Sequence, residues 1–368
     1  MNVPFLNLAA QYESLKSELL PVVEKTLASG YYVLGPNVSA LEQEIAAYAG
    51  TKFGVGVNSG SDALTLALRA LDIGPGDEII TSPFTYIAPA ESIHQVRAKI
   101  VFADIHSRTF NIDPERVAAK ITSKTKAIIP VHLFGQAAPI DELLALAKPR
   151  GIHVVEDCAQ AIGATYTGQP VGSFGAMGCF SFYPTKNLGA DGDGGMVVTN
   201  DETLAKKLKM LRVHGIERRY FHDLHGYNSR LDELQAAILR VKLPHLKRWN
   251  ARRAEVARYY TQNLEHLPLE FPVTAKENTH VFHVYALLTD RRDALQKFLA
   301  DKGVPTLIYY PLPLHLQKVY EKLGWKEGDF PIAEKISKLI LPLPMYPELT
   351  KEQLDHVTGA ILGFFAQP

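Results

Sequence analysis

The sequence predicts an α/β fold: a large domain with a mainly parallel central sheet flanked by helices, plus a smaller C-terminal α/β domain. Two observations predict it. Short apolar, β-branched runs alternate with helix-like segments along most of the 368 residues, which is typical of βαβ units in a parallel sheet. After Leu231 this alternation gives way to one long helix-like run, and a second set of strand and helix patterns follows it.

The large domain begins with a helix pattern over residues 21–29 and a turn at Gly35-Pro36. Its strand patterns are short and apolar, as expected for strands buried on both faces. In chain order the patterns are strand 55–57, helix 61–71, strand 78–80, helix 83–95, strands 99–102 and 127–131, helix 141–148, and strands 153–155, 177–182 and 196–199.

The C-terminal region begins within the long helix-like run over residues 232–264, in which Pro244 is one of the few turn signals. Strand patterns over residues 281–288 and 306–310 follow, with a helix pattern over 294–302 between them. We place the domain boundary near residue 250. A large domain of residues 1–250 and a small domain of residues 251–368 are therefore expected.

Composition and charge exclude several classes of protein. The formal net charge is +0 and no long basic run occurs, so nothing favours nucleic-acid binding. No apolar run reaches the roughly 20 residues of a membrane span, and no secretory signal is evident, so we expect a cytoplasmic protein. Cys158 and Cys179 are too few for a disulfide framework or a zinc site, and no metal is expected.

Lys186 is the most informative candidate for chemistry. It follows the apolar strand pattern and a turn at Pro184, and the glycine-rich segment 192–195 comes soon after it. Desolvation lowers the pKa of a lysine, and the neutral amine attacks carbonyl groups to form a Schiff base. Most lysines are simply exposed, so the interpretation depends on the neighbouring loops.

Three other loops follow predicted strands, where ligands bind in parallel sheets. Residues 58–62 place Gly60 and Ser61 at a helix N-terminus, which suits an anion but is also an ordinary cap. Asp157 ends an apolar strand, with Gln160 three residues later; it could pair with a protonated ring nitrogen or cap a helix. Tyr86 could stack on a planar cofactor or fill the core.

Together these loops supply an amine, a carboxylate, an anion cradle and an aromatic face. Pyridoxal phosphate requires this set: a lysine for its aldehyde, an acid for its ring nitrogen and donors for its phosphate. The sequence therefore predicts a site for this cofactor.

The chain resembles the sugar aminotransferases of the DegT/DnrJ/EryC1/StrS family, which are fold-type I pyridoxal phosphate enzymes, from Pro4 to the C-terminus. The motifs that carry the resemblance are Leu34-Gly35-Pro36, Asn58-Ser59-Gly60-Ser61-Asp62-Ala63-Leu64, Glu156-Asp157-Cys158-Ala159-Gln160, Phe180 to Asn187, Gly192-Asp193-Gly194-Gly195, and Gly226-Tyr227-Asn228-Ser229-Arg230-Leu231-Asp232. Tyr183 stands where many members carry His, and Cys158 where Ala is frequent.

The resemblance implies a role for each matching residue. Lys186 would bind the cofactor aldehyde covalently, and this lysine favours amino transfer over the dehydration performed by members with histidine there. The other implied contacts are Asp157 with the ring nitrogen, Gln160 with the ring hydroxyl, Gly60, Ser61 and Ser181 with the phosphate, Tyr86 with the ring face, and Asn228 with the phosphate across a homodimer interface.

The family implies a nucleotide-linked keto-sugar as acceptor and L-glutamate as donor. Candidate substrate residues are Tyr31, Tyr183, Arg219, Arg230 and His315, and Arg218 and His214 lie nearby in the sequence. The tract 309–315 resembles that of members acting at carbon 3 of the sugar, which favours C3 over C4. A pyridoxal phosphate sugar dehydratase and a non-catalytic regulator that binds sugar nucleotides remain as alternatives.

Overall fold

The computed structural model describes residues 1–218 and 220–367. Its α-helices, α1 to α12, are Leu8–Ser29, Pro36–Tyr48, Gly60–Ala70, Ala88–Gln95, Pro114–Ala118, Ile140–Ala147, Glu202–Leu211, Glu233–Lys242, Leu246–Leu264, Arg292–Asp301, Pro331–Leu339 and Lys351–Phe365. Its strands, β1 to β13, are Phe53–Val57, Glu78–Thr81, Lys99–Phe102, Thr125–Ile129, His153–Asp157, Thr165–Tyr166, Gln169–Pro170, Met177–Ser181, Gly195–Thr199, Ile216–Arg218, Phe221–His222, Tyr285–Leu288 and Ile340–Leu343. Within these ranges no helix is long and apolar enough to cross a bilayer.

A seven-stranded sheet forms the centre of the molecule, in the order β1-β9-β8-β5-β4-β2-β3. All neighbouring pairs are parallel except those that β9 makes with β1 and β8. The predicted mainly parallel sheet is confirmed. Because β5 and β8 are parallel neighbours, their last residues, Asp157 and Ser181, lie at one edge of the sheet.

Helices cover both faces of this sheet. Val197 of β9 packs in one apolar cluster with Leu64 of α3, whereas the next residue, Val198, packs in another cluster with Leu41 of α2. Successive strand side chains point to opposite faces, so both faces of β9 are buried. This double burial explains why the strands are uniformly apolar in the sequence.

The C-terminal α/β region contains its own antiparallel pair, β12 with β13. Ala286 and Leu288 of β12 pack on the core of the large sheet, while Tyr285 and Leu287 pack in a separate cluster with residues of α9, α10 and α12. The small sheet therefore lies between two apolar cores and joins them.

The predicted strand over residues 306–310 is wrong. The segment is irregular and lies between Pro305 and Pro311, which cannot donate backbone hydrogen bonds. The partner of β12 is β13, which contains Pro342 and was missed for that reason. A two-stranded sheet has only edge strands, where the missing donor is tolerated.

Several predicted helices differ at their ends. The run over residues 232–264 is divided into α8 and α9 by a 3₁₀ turn, Leu243–His245, at Pro244. The helix predicted over residues 83–95 begins only at Ala88, which leaves Tyr86 in a loop. The pattern over residues 21–29 is the end of α1, a helix that contains Pro21 and is capped by the Asn7 side chain.

Candidate active site

A cavity of about 400 Å³ opens at the edge where β5 and β8 end. Residues from strand ends, from the N-terminus of α3 and from the C-terminal region line it together. The lining residues include Ser59, Gly60, Ser61, Tyr86, Asp157, Gln160, Ser181, Tyr183, Lys186, His283, Tyr309 and Tyr310. Eight residues predicted from the sequence thus face one cavity: Gly60, Ser61, Tyr86, Asp157, Gln160, Ser181, Tyr183 and Lys186.

Lys186 lies in the turn after β8, where its backbone N–H donates to the carbonyl of Tyr183 at 2.9 Å. Its amine makes no hydrogen bond or ion pair with any residue in the described ranges. Burial lowers the pKa of Lys186 to about 8, and the nearby Asp157 carboxylate opposes part of that shift. A substantial neutral fraction near physiological pH makes this amine a nucleophile.

Asp157 is buried at the end of β5, and burial raises the pKa of its carboxyl group. The backbone N–H of Ala159 donates to its Oδ1 at 3.0 Å and, with the charges of Lys186 and His132, opposes that rise. No other described residue donates to this carboxylate. Its remaining lone pairs are available to a cationic N–H group in the cavity.

Glu156, the preceding residue, holds the end of β5 in place. Its carboxylate accepts bonds from His132 Nε2 at 3.0 Å and from the backbone N–H groups of Gly172, Phe174 and Gly175 at 2.8 Å each. His132, Glu156 and Cys158 place ligand atoms within 4.8 Å of one another. Since His132 Nδ1 accepts the Ala138 N–H as well, these bonds account for the cluster without a metal.

The N-terminus of α3 forms an anion cradle. Ser59 caps the helix through its side chain, which accepts the Asp62 N–H at 3.1 Å. The N–H groups of Gly60 and Ser61 have no acceptor among the described residues, as is usual for a first turn. A Cβ atom on Gly60 would lie 2.6 Å from the Cβ of Ser181, so only glycine lets the two elements meet here.

Gln160 is held in one orientation at the cavity wall. Its Oε1 accepts the Phe134 N–H at 2.8 Å, and its Nε2 donates to the Tyr310 hydroxyl at 3.0 Å. The amide therefore turns its N–H groups, and not its oxygen, toward the cavity side. Such an amide suits an oxygen acceptor on a ligand.

Two tyrosines line the cavity with large exposed surfaces. Tyr86 is 59% exposed and Tyr183 is 53% exposed, although both are aromatic. Exposed aromatic rings in a pocket are typical of sites that bind planar ligands.

Three other predicted site residues do not line this cavity. Asn228 and Tyr31 are exposed and, like the half-buried Arg230, do not line the cavity of their own chain. Arg219 lies outside the described residues. Asn228 is nevertheless next to Ser229, whose hydroxyl accepts the Asn58 N–H and donates to Asp62 beside the anion cradle.

The prediction that His315 faces the substrate requires correction. The side chain is fully buried away from the cavity, its Nε2 lies 3.0 Å from Glu334 Oε1, and its ring packs against Phe330. Glu334 also accepts N–H groups from Gly328 and Phe330. His315 therefore stabilises the start of α11, and this role follows from burial that the Pro-rich tract around it did not reveal.

His283 is a cavity residue that the sequence reasoning missed. Its Nδ1 lies 3.2 Å from Oδ1 of Asn187, the residue after Lys186. Both amide protons of Asn187 are used, on Asn250 Oδ1 at 2.8 Å and on the Val281 carbonyl at 3.0 Å, so His283 Nδ1 is the donor. Burial, followed by the charges of Lys186 and Arg253, holds the pKa of His283 well below its usual value, which favours the neutral ring.

These residues fit pyridoxal phosphate on structural grounds. The cavity joins an unbonded amine, a carboxylate with free lone pairs, a helix N-terminus with unpaired N–H groups and an oriented amide. These are the partners that the aldehyde, ring nitrogen, phosphate and ring hydroxyl of this cofactor need.

Comparisons with known proteins agree. The model of the DegT/DnrJ/EryC1/StrS aminotransferase family matches residues 13–362. The "Pleiotropic regulatory protein" of Geobacillus stearothermophilus is 52% identical, covering 99% of both chains. The UDP-N-acetyl-3-dehydro-alpha-D-glucosamine 3-aminotransferase of Acidithiobacillus ferrooxidans is 47% identical, covering 98% of this chain and 97% of the relative.

Solved structures give the same result. DesV of S. venezuelae, solved in complex with a ketimine intermediate, is 45% identical and superposes with a TM-score of 0.98 over 100% of this chain and 99% of that one. NtdA of Bacillus subtilis, solved with bound cofactor PMP, is 29% identical and superposes with a TM-score of 0.93. The match covers 100% of this chain and 86% of that one. The chain belongs to the DegT/DnrJ/EryC1/StrS aminotransferase family, and it is a pyridoxal phosphate-dependent aminotransferase.

Proposed function

We propose that this enzyme transfers the amino group of L-glutamate to carbon 3 of a nucleotide-linked keto-sugar. The observation that carries the proposal is the meeting of Lys186 and Asp157 in one cavity beside the N-terminus of α3. The choice of carbon 3 is supported by the A. ferrooxidans relative, whose name specifies a 3-aminotransferase of a UDP-linked 3-dehydro sugar.

The chemistry assigns distinct tasks to Lys186 and Asp157. When bound, pyridoxal phosphate supplies an aldehyde and an electron-accepting ring. Lys186 would provide the amine for that aldehyde and would move the proton at the substrate carbon. The Asp157 carboxylate would hold a proton on the ring nitrogen, and its burial would strengthen that interaction because water competes less.

The remaining cavity residues bind and orient. Gly60, Ser61 and Ser181 would hold the phosphate through N–H and O–H donors, Gln160 the ring hydroxyl, and Tyr86 one face of the ring. Tyr183 would contact the sugar from the cavity mouth.

We further propose that the active unit is a homodimer. Asn228, Tyr31, Arg230 and Arg219 would act on the phosphate and substrate of the partner's cavity, since the first three do not line their own. Mixing inactive Lys186→Ala with inactive Asn228→Ala chains tests this: reassembled dimers should regain up to about a quarter of the activity, from the one intact site in mixed dimers. Mixtures that stay inactive after subunit exchange would rule out a shared site.

We also propose the domain division at about residue 250, within α9. The separate apolar cluster of α9, α10 and α12 supports it. The segment around α11 packs instead on the core of the large domain, through Phe330, Ala333 and Ile336. The small domain therefore shares part of its apolar packing with the large domain.

The experiment that tests the reaction is a panel of UDP-, dTDP- and GDP-linked 3-keto and 4-keto sugars, each incubated with L-glutamate. A 3-amino sugar and 2-oxoglutarate in equal amounts are expected from one or more 3-keto members. Turnover of the 4-keto sugars alone would overturn the proposal that the amino group is transferred to carbon 3. The Lys186→Ala variant is the control for chemistry that does not need the site.

A second candidate is a regulator that binds a sugar nucleotide without turnover. The name of the G. stearothermophilus relative favours it. A ligand-binding role alone does not need an unbonded lysine of lowered pKa, which is why we prefer the enzyme. Tight binding of a keto-sugar with no 2-oxoglutarate formed would favour the regulator.

A further inference from the structure

Tyr310 reaches the cavity from the C-terminal region, in the irregular segment between Pro305 and Pro311. Its ring packs edge-on against Phe84 at 5.9 Å, and its hydroxyl accepts the Nε2 proton of Gln160 at 3.0 Å. Gln160 is the only hydrogen-bond partner of this hydroxyl within residues 1–218 and 220–367. The proton of the Tyr310 hydroxyl therefore remains to be donated.

The partner amide has no freedom to turn around. The Phe134 N–H can only donate, so the Gln160 atom that it contacts at 2.8 Å must be the oxygen. One proton of Nε2 is used on Tyr310, and the second is left. Two donors, one from each side chain, thus stand beside each other with no acceptor in the protein.

We propose that the Tyr310 hydroxyl and the Gln160 amide together hold the ring oxygen of the cofactor, which makes Tyr310 a second donor to that oxygen. This inference rests on the proposed placing of the cofactor in the cavity. An anionic ring oxygen accepts more than one hydrogen bond, and bonds to charged groups are the stronger ones.

The surroundings keep Tyr310 a donor. Burial raises the pKa of its hydroxyl, the Gln160 bond opposes that rise, and the charge of Asp157 adds to it. Tyr86 and Tyr309, the other ionisable groups that act on it, raise the pKa as well. The hydroxyl is therefore protonated throughout the working pH range.

The test is the pH titration of the visible absorbance band in the cofactor-loaded protein. Two donors stabilise negative charge on the ring oxygen, and this eases loss of the proton from the Lys186–cofactor link. Tyr310→Phe removes one donor and keeps the ring against Phe84. The midpoint pH of the band should rise by about one unit, the size expected for a hydrogen bond to a charged group.

Tyr309→Phe is the matched control. Tyr309 lines the same cavity and packs on Phe5 at 5.9 Å, but its hydroxyl makes no bond to Gln160. Its midpoint should stay at the wild-type value, whereas Gln160→Leu should raise the midpoint through loss of the other donor.

The outcomes separate this inference from the proposed function. A wild-type band with equal midpoints in Tyr310→Phe and Tyr309→Phe would overturn the role of Tyr310 and leave the enzyme assignment intact. A wild-type protein that gains no band when mixed with pyridoxal phosphate would overturn both.

Discussion

Two adjacent carboxylates on β5 show how this molecule separates structure from chemistry. Glu156 accepts hydrogen bonds from His132 and from three backbone N–H groups, and it has no room for another partner. Asp157 accepts one protein bond, from Ala159, and faces the cavity with its other lone pairs. Both are buried. What distinguishes Asp157, the acid that we propose to be functional, is therefore unfilled bonding capacity, and not burial.

Two lysines, the buried Lys242 and the half-buried Lys186, repeat the contrast. Lys242 donates to the Gly189 carbonyl at 2.9 Å and to Asp191 at 2.6 Å. Lys186 has no such bonds, and its pKa is lowered to about 8. Buried polar groups are normally hydrogen-bonded, so the unbonded members of each pair identify where a ligand must supply the missing partner.

The largest effect is expected from removing the free lysine. Lys186→Ala should abolish the visible band of the cofactor-loaded protein and reduce kcat at least about 10²–10⁴-fold, because both the nucleophile and the proton carrier are lost. Lys242→Met is the control: it should unfold more easily yet keep the band. Absorbance spectra and 2-oxoglutarate assays measure both results. A Lys186→Ala protein with normal turnover would contradict the proposed difference in role between Lys186 and Lys242.

The next effect compares the two acids directly. Asp157→Asn should keep the unfolding free energy and lower kcat by about 10²-fold, since an amide cannot hold a proton on the ring nitrogen by charge. Glu156→Gln should lose about 3 kcal/mol of stability, because an amide N–H group would face donors in the buried network. Denaturant unfolding and steady-state kinetics distinguish the two variants. Equal losses of unfolding free energy in both would contradict the proposed difference between the structural Glu156 and the functional Asp157.

A smaller effect concerns the free energy of unfolding that the protein loses because folding lowers the pKa of Lys186. Its folded-state pKa is about 8 against 10.5 in an unfolded chain, so the unfolded chain binds more protons between these values and stability rises with pH there. Below pH 8 the amine is protonated in both states, and the folded protein carries the full cost of the desolvated charge. Lys186→Met should stabilise the cofactor-free protein at neutral pH by up to about 3 kcal/mol. The gain should vanish above pH 10.5 in urea unfolding series; a pH-independent gain would mean better packing instead.

The smallest effect is expected at His315. Because Nε2 is bonded to Glu334 and the ring is outside the cavity, His315→Gln should cost about 1 kcal/mol of stability. The KM for the keto-sugar should stay unchanged. A raised KM in a stably folded variant would return His315 to the substrate site.

The sequence was sufficient where local pattern and chemistry coincide. Apolar β-branched runs between helix patterns predicted the parallel sheet, and the loops after its strands contain Lys186, Asp157 and Gly60, which face one cavity. These residues are close to strand ends in the chain, so the rule that ligands bind at carboxyl ends of strands reached them.

It was insufficient where the outcome depends on distant contacts. Tyr310 and His283 come from the C-terminal region, and their positions depend on packing against Phe84 and on hydrogen bonding to Asn187. His315 stands in a tract of similar composition but is buried by α11. Period and propensity contain no information on such contacts, and the Pro residues in 305–313 and at Pro342 concealed which segment is a strand.

The most direct test of the account is to reduce the cofactor-loaded protein with borohydride and locate the labelled lysine by peptide mass spectrometry. The amine without protein partners should trap the aldehyde, so we predict a single label, on Lys186. A label on Lys242 or on any surface lysine, with Lys186 unmodified, would contradict it.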